Sequence, residues 1–242
     1  MNEPVREEPP SRLVTLVRRK DRPVCVMLPG AGGGLNPYLR LASHLGRHYS
    51  VYAVRAAGLV PGEPPEDSIG AMAESALSAL GDRSPALVFG WSLGGTVGWE
   101  MCVRLADRGS RPELVIVDSS PLPRHASAED DERIRKLIVG GLGPRPDEHT
   151  VARVERTFRA QAQALAGYAA EREYPGRALL LMCTDADDGI SGRTVALRRW
   201  CELAPDLRTA TLDAGHYDVF EPRHLDRLTG EVDAFLGLER ES

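Results

Sequence analysis

Short apolar runs alternate with amphipathic stretches along most of this chain. Apolar runs of this length, bounded by polar and turn residues, are typical of buried strands. They predict strands over residues 13–17, 24–28, 51–54, 86–89, 114–118, 178–183 and 208–212. Helical periodicity predicts helices over about 38–45, 68–80, 93–108, 193–203 and 224–236. The alternation predicts an α/β fold, a mainly parallel sheet with helices on both faces and strand 13–17 at its edge.

One long segment departs from this alternation. Residues 119–176 carry no strand pattern, only two amphipathic stretches that predict helices over about 128–139 and 147–172. An insertion of this length between consecutive strands is typical of a lid over a site. The Pro- and Glu-rich residues 1–11 are expected to be a flexible tail. The whole of 1–242 is predicted to be one domain.

The pattern Gly90-Trp91-Ser92-Leu93-Gly94 lies between a predicted strand and a predicted helix. A serine on so tight a turn takes a strained backbone conformation, and the flanking glycines let strand and helix approach each other. Its hydroxyl then stands above a helix N-terminus, which favours developing negative charge. Ser92 is therefore a candidate nucleophile. The alternative is that it only caps the helix.

A serine hydroxyl needs a general base, and His216 is the candidate. The chain has six histidines, and His216 follows the last predicted strand in an Asp-Ala-Gly-His sequence. Where a nucleophile stands on a strand–turn–helix elbow, the chain order is serine, acid, histidine, with the histidine late in the chain. The alternative is a solvated loop histidine.

The acid that would orient the base is less clearly marked. Asp118 ends one predicted strand after the elbow, and Asp185 or Asp187 follows the next strand. Both strand ends lie at the carboxyl edge of a parallel sheet, where such a site must be. The residues alone do not rank these carboxylates, because an acid at a strand end can also be a turn residue.

The loop after the second predicted strand has four glycines in five positions, 30–34. It lacks the Gly-x-Gly-x-x-Gly and Gly-Lys-Ser/Thr patterns of phosphate-binding loops. In elbow-type hydrolases one oxyanion donor comes from the loop at this place in the strand order. The loop is therefore predicted to supply half of an oxyanion hole, and the alternative is a flexible turn.

Composition and charge narrow the function classes. The formal net charge of −5 argues against a nucleic-acid-binding protein or a basic membrane-surface protein. The polar N-terminus and the absence of a long apolar run predict neither a signal peptide nor a membrane span. Four cysteines without paired spacing indicate reduced thiols in a cytoplasmic protein, not disulfides or zinc ligands. They are Cys25, Cys102, Cys183 and Cys201.

Five groups of residues resemble the thioesterase domains that end nonribosomal peptide synthetases and polyketide synthases. The resemblance spans nearly the whole chain and implies the α/β-hydrolase fold. The groups are Leu-Pro-Gly-Ala-Gly-Gly at 28–33, Val-Tyr-Ala-Val-Arg-Ala-Ala-Gly-Leu at 51–59 with Gly-Glu-Pro-Pro at 62–65 and Ser-Ile at 68–69, Gly-Trp-Ser-Leu-Gly-Gly at 90–95, Val-Ile-Val-Asp-Ser at 115–119 and Gly-His-Tyr at 215–217.

The resemblance also implies roles for individual residues. In such release domains the acid follows the strand after the elbow, which implies Asp118. The oxyanion donors would be the backbone N–H groups of Ala31 and Leu93. Asp185 instead fits the pattern of the free-standing editing thioesterases, so the resemblance leaves the alternative acid open.

The implied activity is that of a serine thioesterase. It takes an acyl or peptidyl chain from the phosphopantetheine arm of a carrier protein and releases it by hydrolysis or macrocyclisation, in natural-product biosynthesis. The domain itself needs no cofactor or metal, and neither nucleic acid nor membrane is expected as a partner. The alternatives are a type II editing thioesterase, a small-molecule esterase and a non-catalytic binding module on the same scaffold.

A basic stripe in the predicted insertion bears on the partner. Arg153, Arg156 and Arg159 recur every three residues, on one side of a helix. An acidic acyl or peptidyl carrier protein would dock on such a stripe. A solvated helix face is the simpler interpretation.

Overall fold

The computed structural model describes residues 11–184 and 192–238. Within them seven strands form one sheet in the order β1-β3-β2-β4-β5-β6-β7. The first strand pairs antiparallel with the third at one edge, and every other neighbouring pair is parallel. The strands are β1 (Leu13–Val17), β2 (Val24–Leu28), β3 (Ser50–Val54), β4 (Pro85–Trp91), β5 (Glu113–Val117), β6 (Ala178–Cys183) and β7 (Leu207–Leu212). The predicted mainly parallel sheet and its edge strand are confirmed. The predicted tail lies outside the described residues except for Ser11.

Helices cover both faces of this sheet. They are α1 (Leu39–Leu45), α2 (Ile69–Leu80), α3 (Leu93–Asp107), α4 (Ala128–Gly140), α5 (Glu148–Ala166), α6 (Arg193–Leu203) and α7 (Pro222–Leu236). Successive residues of β2 belong to opposite faces: Val26 packs with α2 and α3, and Met27 packs with α1 and α7. A strand buried on both faces needs apolar side chains at every position, which is why these strands appear in the sequence as continuous apolar runs.

Local hydrogen bonds account for two helix starts. The Ser68 side chain accepts from the Ala71 N–H and caps α2. At the start of α4, Ser127 and Asp130 form a reciprocal capping box. The acidic run that opens α4 therefore includes one specific cap, in addition to its favourable charge at the helix N-terminus.

The second helix of the insertion is shorter than its sequence predicts. The prediction extends to residue 172, whereas α5 ends at Ala166 and Gly167 follows. Beyond it, the Ala170 N–H donates to the Pro121 carbonyl at 2.8 Å, and the Tyr168 hydroxyl donates to Glu100. These bonds draw the chain back toward the sheet, so tertiary contacts override the helical pattern.

The two helices of the insertion differ in how they are held. α5 buries five residues, and its Thr157 contacts the single-turn 3-10 helix Ala57–Leu59 so closely that a Cβ at Gly58 would lie 2.3 Å from the Thr157 Oγ1. No residue of α4 is buried. If residues 119–176 form a lid, the two helices are therefore expected to move to different extents. The mobility of this segment stays a prediction.

Candidate active site

The turn between β4 and α3 places Ser92 in a conformation that few side chains adopt. Its φ is 55° and its ψ is −124°, and its N–H donates to the Val117 carbonyl at 2.9 Å. L-residues rarely occupy this region because the Cβ crowds the backbone. α3 begins at the next residue, Leu93. The serine thus directly follows one buried strand and directly precedes a buried helix.

The glycines on both sides of Ser92 are required by close backbone approach. A Cβ at Gly90 would lie 2.1 Å from the Gly94 carbonyl oxygen. A Cβ at Gly94 would lie 2.0 Å from the Leu28 carbonyl oxygen. Neither backbone contact can give way as a flexible side chain would, so the sequence pattern follows from the packing of strand, turn and helix.

His216 faces the serine from the segment that follows β7. Its Nε2 lies 3.0 Å from the Ser92 Oγ, and the residue is 5% exposed. Trp91 fixes the histidine, because the indole Nε1 donates to the His216 carbonyl at 3.1 Å and the two ring centroids are 5.2 Å apart. The sequence analysis predicted no role for Trp91. Its position directly before Ser92 was the signal that could have indicated one.

Asp118 lies on the other side of the imidazole. Its Oδ2 is 2.7 Å from the His216 Nδ1, and its Oδ1 accepts the Cys183 N–H at 3.0 Å. Arg193 lies 3.4 Å from the same Oδ2, and the aspartate is fully buried with a φ of 41°. A carboxylate at Nδ1 favours the tautomer with its proton there, which leaves the Nε2 lone pair for the serine hydroxyl. Asp185 and Asp187 lie outside the described residues.

The two predicted oxyanion donors meet at the same place. Ala31 lies in a turn in which the Gly33 N–H donates to the Gly30 carbonyl at 3.0 Å. Leu93 is the first residue of α3, so its N–H has no acceptor within the helix. Both residues line one cavity with Ser92.

That cavity has a volume of about 310 Å³ and separates the serine from the insertion. Such a volume is at the lower end of small-molecule sites. Its upper wall is apolar and comes from the insertion, and charged residues flank that wall. The apolar residues are Leu122, Ile134, Phe158, Ala162 and Leu165, and the charged ones are Arg124, Asp130 and Arg133.

The cysteines lie apart from this chemistry. Cys25, Cys102 and Cys183 are buried and Cys201 is exposed, all with free thiols. Burial raises the pKa of the Cys25 and Cys102 thiols well above the usual range. Across 11–184 and 192–238 no cluster of His, Cys, Asp and Glu could hold a metal ion. No helix in those ranges combines the length and apolar character needed to span a bilayer.

The basic stripe predicted in the insertion lies on α5. Arg153 is partly buried and donates to the Thr150 hydroxyl at 3.0 Å. Arg156 and Arg159 are exposed, and in the part of the chain that the structure describes neither forms an ion pair. Of the three arginines in the predicted stripe, only Arg156 and Arg159 are therefore exposed to solvent.

Comparison with known proteins bears on the family of the chain. The family model of the Thioesterase domain matches residues 23–236. The dimodular nonribosomal peptide synthase of Bacillus subtilis is 29% identical over 140 residues, 54% of this chain and 6% of that protein. The probable cadicidin biosynthesis thioesterase of Streptomyces griseus is 24% identical over 228 residues, 89% of this chain and 63% of that protein.

The fold has close structural counterparts. The solved structure of the type II thioesterase BorB, from the borrelidin biosynthetic cluster, superposes with a TM-score of 0.76 at 20% identity, covering 95% of this chain and 99% of that one. The mostly parallel sheet with helices on both faces is thus the α/β-hydrolase architecture of such enzymes. Because the family model spans most of its length, the chain belongs to the Thioesterase domain family.

Proposed function

We propose that this protein is a serine thioesterase that releases an acyl or peptidyl chain from the phosphopantetheine arm of a carrier protein. Ser92 is the nucleophile, His216 the general base and acid, and Asp118 the residue that orients the histidine. The observation that carries this proposal is the continuous hydrogen-bonded series Asp118–His216–Ser92, at the floor of a cavity, in a member of the thioesterase family.

In the first half-reaction His216 Nε2 takes the Ser92 proton as the Oγ attacks the thioester carbon. The carbonyl oxygen becomes an oxyanion, which the N–H groups of Ala31 and Leu93 stabilise. When the tetrahedral intermediate collapses, the carbon–sulfur bond breaks and the proton passes from His216 to the leaving thiol. The products are an acyl ester of Ser92 and a free pantetheine thiol.

The second half-reaction repeats these steps with a new nucleophile. His216 takes a proton from water, whose oxygen attacks the ester carbon, and then returns the proton to the Ser92 Oγ as the ester bond breaks. The product is a carboxylic acid. A hydroxyl or amine of the bound chain in place of water gives a macrocycle. The geometry of His216 serves both outcomes, so the substrate and the cavity wall decide between them.

A free-standing editing thioesterase is the second candidate, since BorB has the same architecture over nearly the same length. The contact between Asp118 and His216 supports the release-domain assignment of the acid. A carrier-bound substrate and four free thiols fit a cytoplasmic location. The reaction proposed for Ser92, His216 and Asp118 uses no metal or cofactor of the domain itself.

The acyl-enzyme provides the direct test. Intact-mass analysis after acid quenching of a reaction with an acylated carrier protein should show one acyl adduct on the wild type. Ser92→Ala should show none. Ser120→Ala is the matched control, because Ser120 lines the same cavity and should leave the adduct in place. An equal adduct on Ser92→Ala would refute the proposal.

A further inference from the structure

We propose that Gln161, on α5 of the insertion, is a positioning residue that holds the Ala31 half of the oxyanion hole in its working geometry. This inference rests on the proposed function. It assigns to the insertion a part in stabilising the transition state, in addition to forming the cavity wall.

The loop that carries Ala31 has the features of a type II turn. Gly33 donates to the Gly30 carbonyl across four residues, and Gly32 has a φ of 85°. These are the hydrogen bond and the positive φ that define this turn, with Ala31 and Gly32 at its centre. Types I and II differ by a flip of the peptide between the two central residues. The Ala31 N–H belongs to the preceding peptide, Gly30–Ala31, so the orientation of the Ala31–Gly32 peptide acts on it through the shape of the loop.

Gln161 bonds to the N–H of that same peptide. Its Oε1 accepts the Gly32 N–H at 2.8 Å, and the side chain is 3% exposed. The orientation of the amide is unambiguous, because a backbone N–H can be paired only by the oxygen of the glutamine. The bond is shielded from water, so its loss would leave a buried donor unpaired.

Apart from the methyl group of Ala31, residues 30–34 carry no side chain with which to resist a flip. A Cβ at Gly32 would lie 2.6 Å from Ile138 of α4, and a Cβ at Gly33 would lie 2.4 Å from Leu59. Gly32 and Gly33 also have φ values of 85° and 69°, which L side chains rarely adopt, so both positions favour glycine, the residue that restricts its backbone least. The restraint on the central peptide has to come from outside the loop.

Gln161 is itself well placed to give this restraint. It is on the buried side of α5, the insertion helix that is anchored on the body of the domain. It also lines a small cavity of about 40 Å³ together with Pro29 and Leu93. The glutamine therefore bonds to the residue after one predicted donor, Ala31, and shares a cavity lining with the other, Leu93.

The first arm of the test replaces the amide by an isosteric apolar chain. Gln161→Met should lower kcat for a thioester by roughly tenfold to a hundredfold, less than the 10²–10³-fold loss on deleting an oxyanion donor outright. KM should stay within about twofold, because the ground-state carbonyl gains little from the hole. Gln163→Met is the matched control, an exposed glutamine on the same helix, and should leave both constants unchanged.

The second arm restores the acceptor but adds a charge. Gln161→Glu keeps an oxygen facing the Gly32 N–H, so it should recover more activity at low pH than Gln161→Met does. As the buried carboxyl ionises, its charge opposes the developing oxyanion, and the activity relative to wild type should fall with rising pH. A fall in activity that follows a fall in the melting temperature of Gln161→Glu over the same pH range would show a purely structural role for Gln161 and overturn the inference.

Two readouts separate this inference from the proposed function. Amide exchange at Gly32, followed by NMR without substrate, should quicken at least about tenfold in Gln161→Met and not in Gln163→Met. The rate at which a fluorophosphonate modifies Ser92 should fall in parallel with kcat, since phosphonylation also places an oxygen in the hole. If the wild type hydrolyses no thioester, the proposed function fails, while exchange and phosphonylation still test Gln161. Unchanged Gly32 exchange, or a phosphonylation rate equal to that of Gln163→Met, would overturn the inference.

Discussion

Asp118 combines two features that are unfavourable for folding: its φ is 41° and its carboxylate is fully buried. The compensation is local, since the Cys183 N–H and the His216 ring both bond to it. A buried charge is tolerated only when it is paired and hydrogen-bonded. At the scale of the residue, the carboxylate is therefore held in place for the histidine.

Asp118→Asn should lower turnover by roughly 10⁴-fold with little change in stability, by analogy with the same change in other triads. The physical reason is that an amide at this position favours the wrong imidazole tautomer. Steady-state thioester hydrolysis at neutral pH measures the effect. Asp185→Asn is the paired variant, and its effect should be much smaller. The reverse ranking would assign the acid to Asp185 and move the chain toward the editing class.

The sequence predicts those site residues that are marked by a pattern in their own stretch of the chain. Ser92 is marked by its strand–turn–helix setting, and His216 by its place after the last strand. Trp91 and Gln161 are not marked, because their contacts join positions 125 and 129 residues apart in the chain. Such contacts depend on how the elements pack, which spacing along one element does not encode. Asp118 lies between these cases, since its strand end was predictable from the residues and its pairing with the histidine only from the family resemblance.

At the scale of the element, the insertion consists of two helices with different attachment. α5 packs on the body through its buried face and bonds to the loop of Ala31 through Gln161. α4 buries no residue and touches the site through half-buried side chains such as Ile134. The periodicity of the sequence predicted both helices but could not distinguish them, because exposure depends on the partner surface.

Hydrogen exchange should divide the insertion accordingly. Amides of α4 should exchange fastest, those of α5 more slowly, and those of β4 and β5 slowest, because a segment opens more readily when it buries less apolar surface. Mass-spectrometric exchange of peptic peptides gives the order. The two strands serve as the internal reference for full protection. Equal protection of α4 and α5 would contradict the difference in attachment of the two helices.

At the scale of the whole molecule, the topology of the sheet sets where the site lies, and the net charge affects what can approach it. The site is at the carboxyl edge of the sheet, where strand ends and the insertion meet. Under the proposed function, the net charge of −5 would repel an acidic carrier at long range, so docking near this edge would require a local basic patch. Arg156 and Arg159 are exposed cations on the insertion and fit that need.

If these two arginines dock the carrier, Arg156→Glu with Arg159→Glu should reduce kcat/KM for an acylated carrier about tenfold at low salt. The same acyl group on a short pantetheine should be unaffected. For the wild type, kcat/KM should fall from carrier to pantetheine to oxygen ester, because remote binding energy is lost at each step.

Arg18→Glu with Arg22→Glu is the matched control, because it makes the same change of charge on two exposed residues. These residues lie between β1 and β2, at the amino end of β2 and so away from the carboxyl edge of the sheet. It should leave all three substrates unchanged. An equal loss in both double variants would show a general charge effect in place of docking. A preference for the oxygen ester would point to a small-molecule esterase.

The backbone of Ser92 also has a consequence for the design of this protein. Its positive-φ conformation costs of the order of 1–3 kcal/mol, against a typical domain stability of about 5–15 kcal/mol. Glycine would occupy the same position without that cost. A procedure that ranks sequences by stability alone would therefore favour glycine over the proposed nucleophile at this position. Folding disfavours a serine at this turn, and the proposed chemistry supplies the reason for having one.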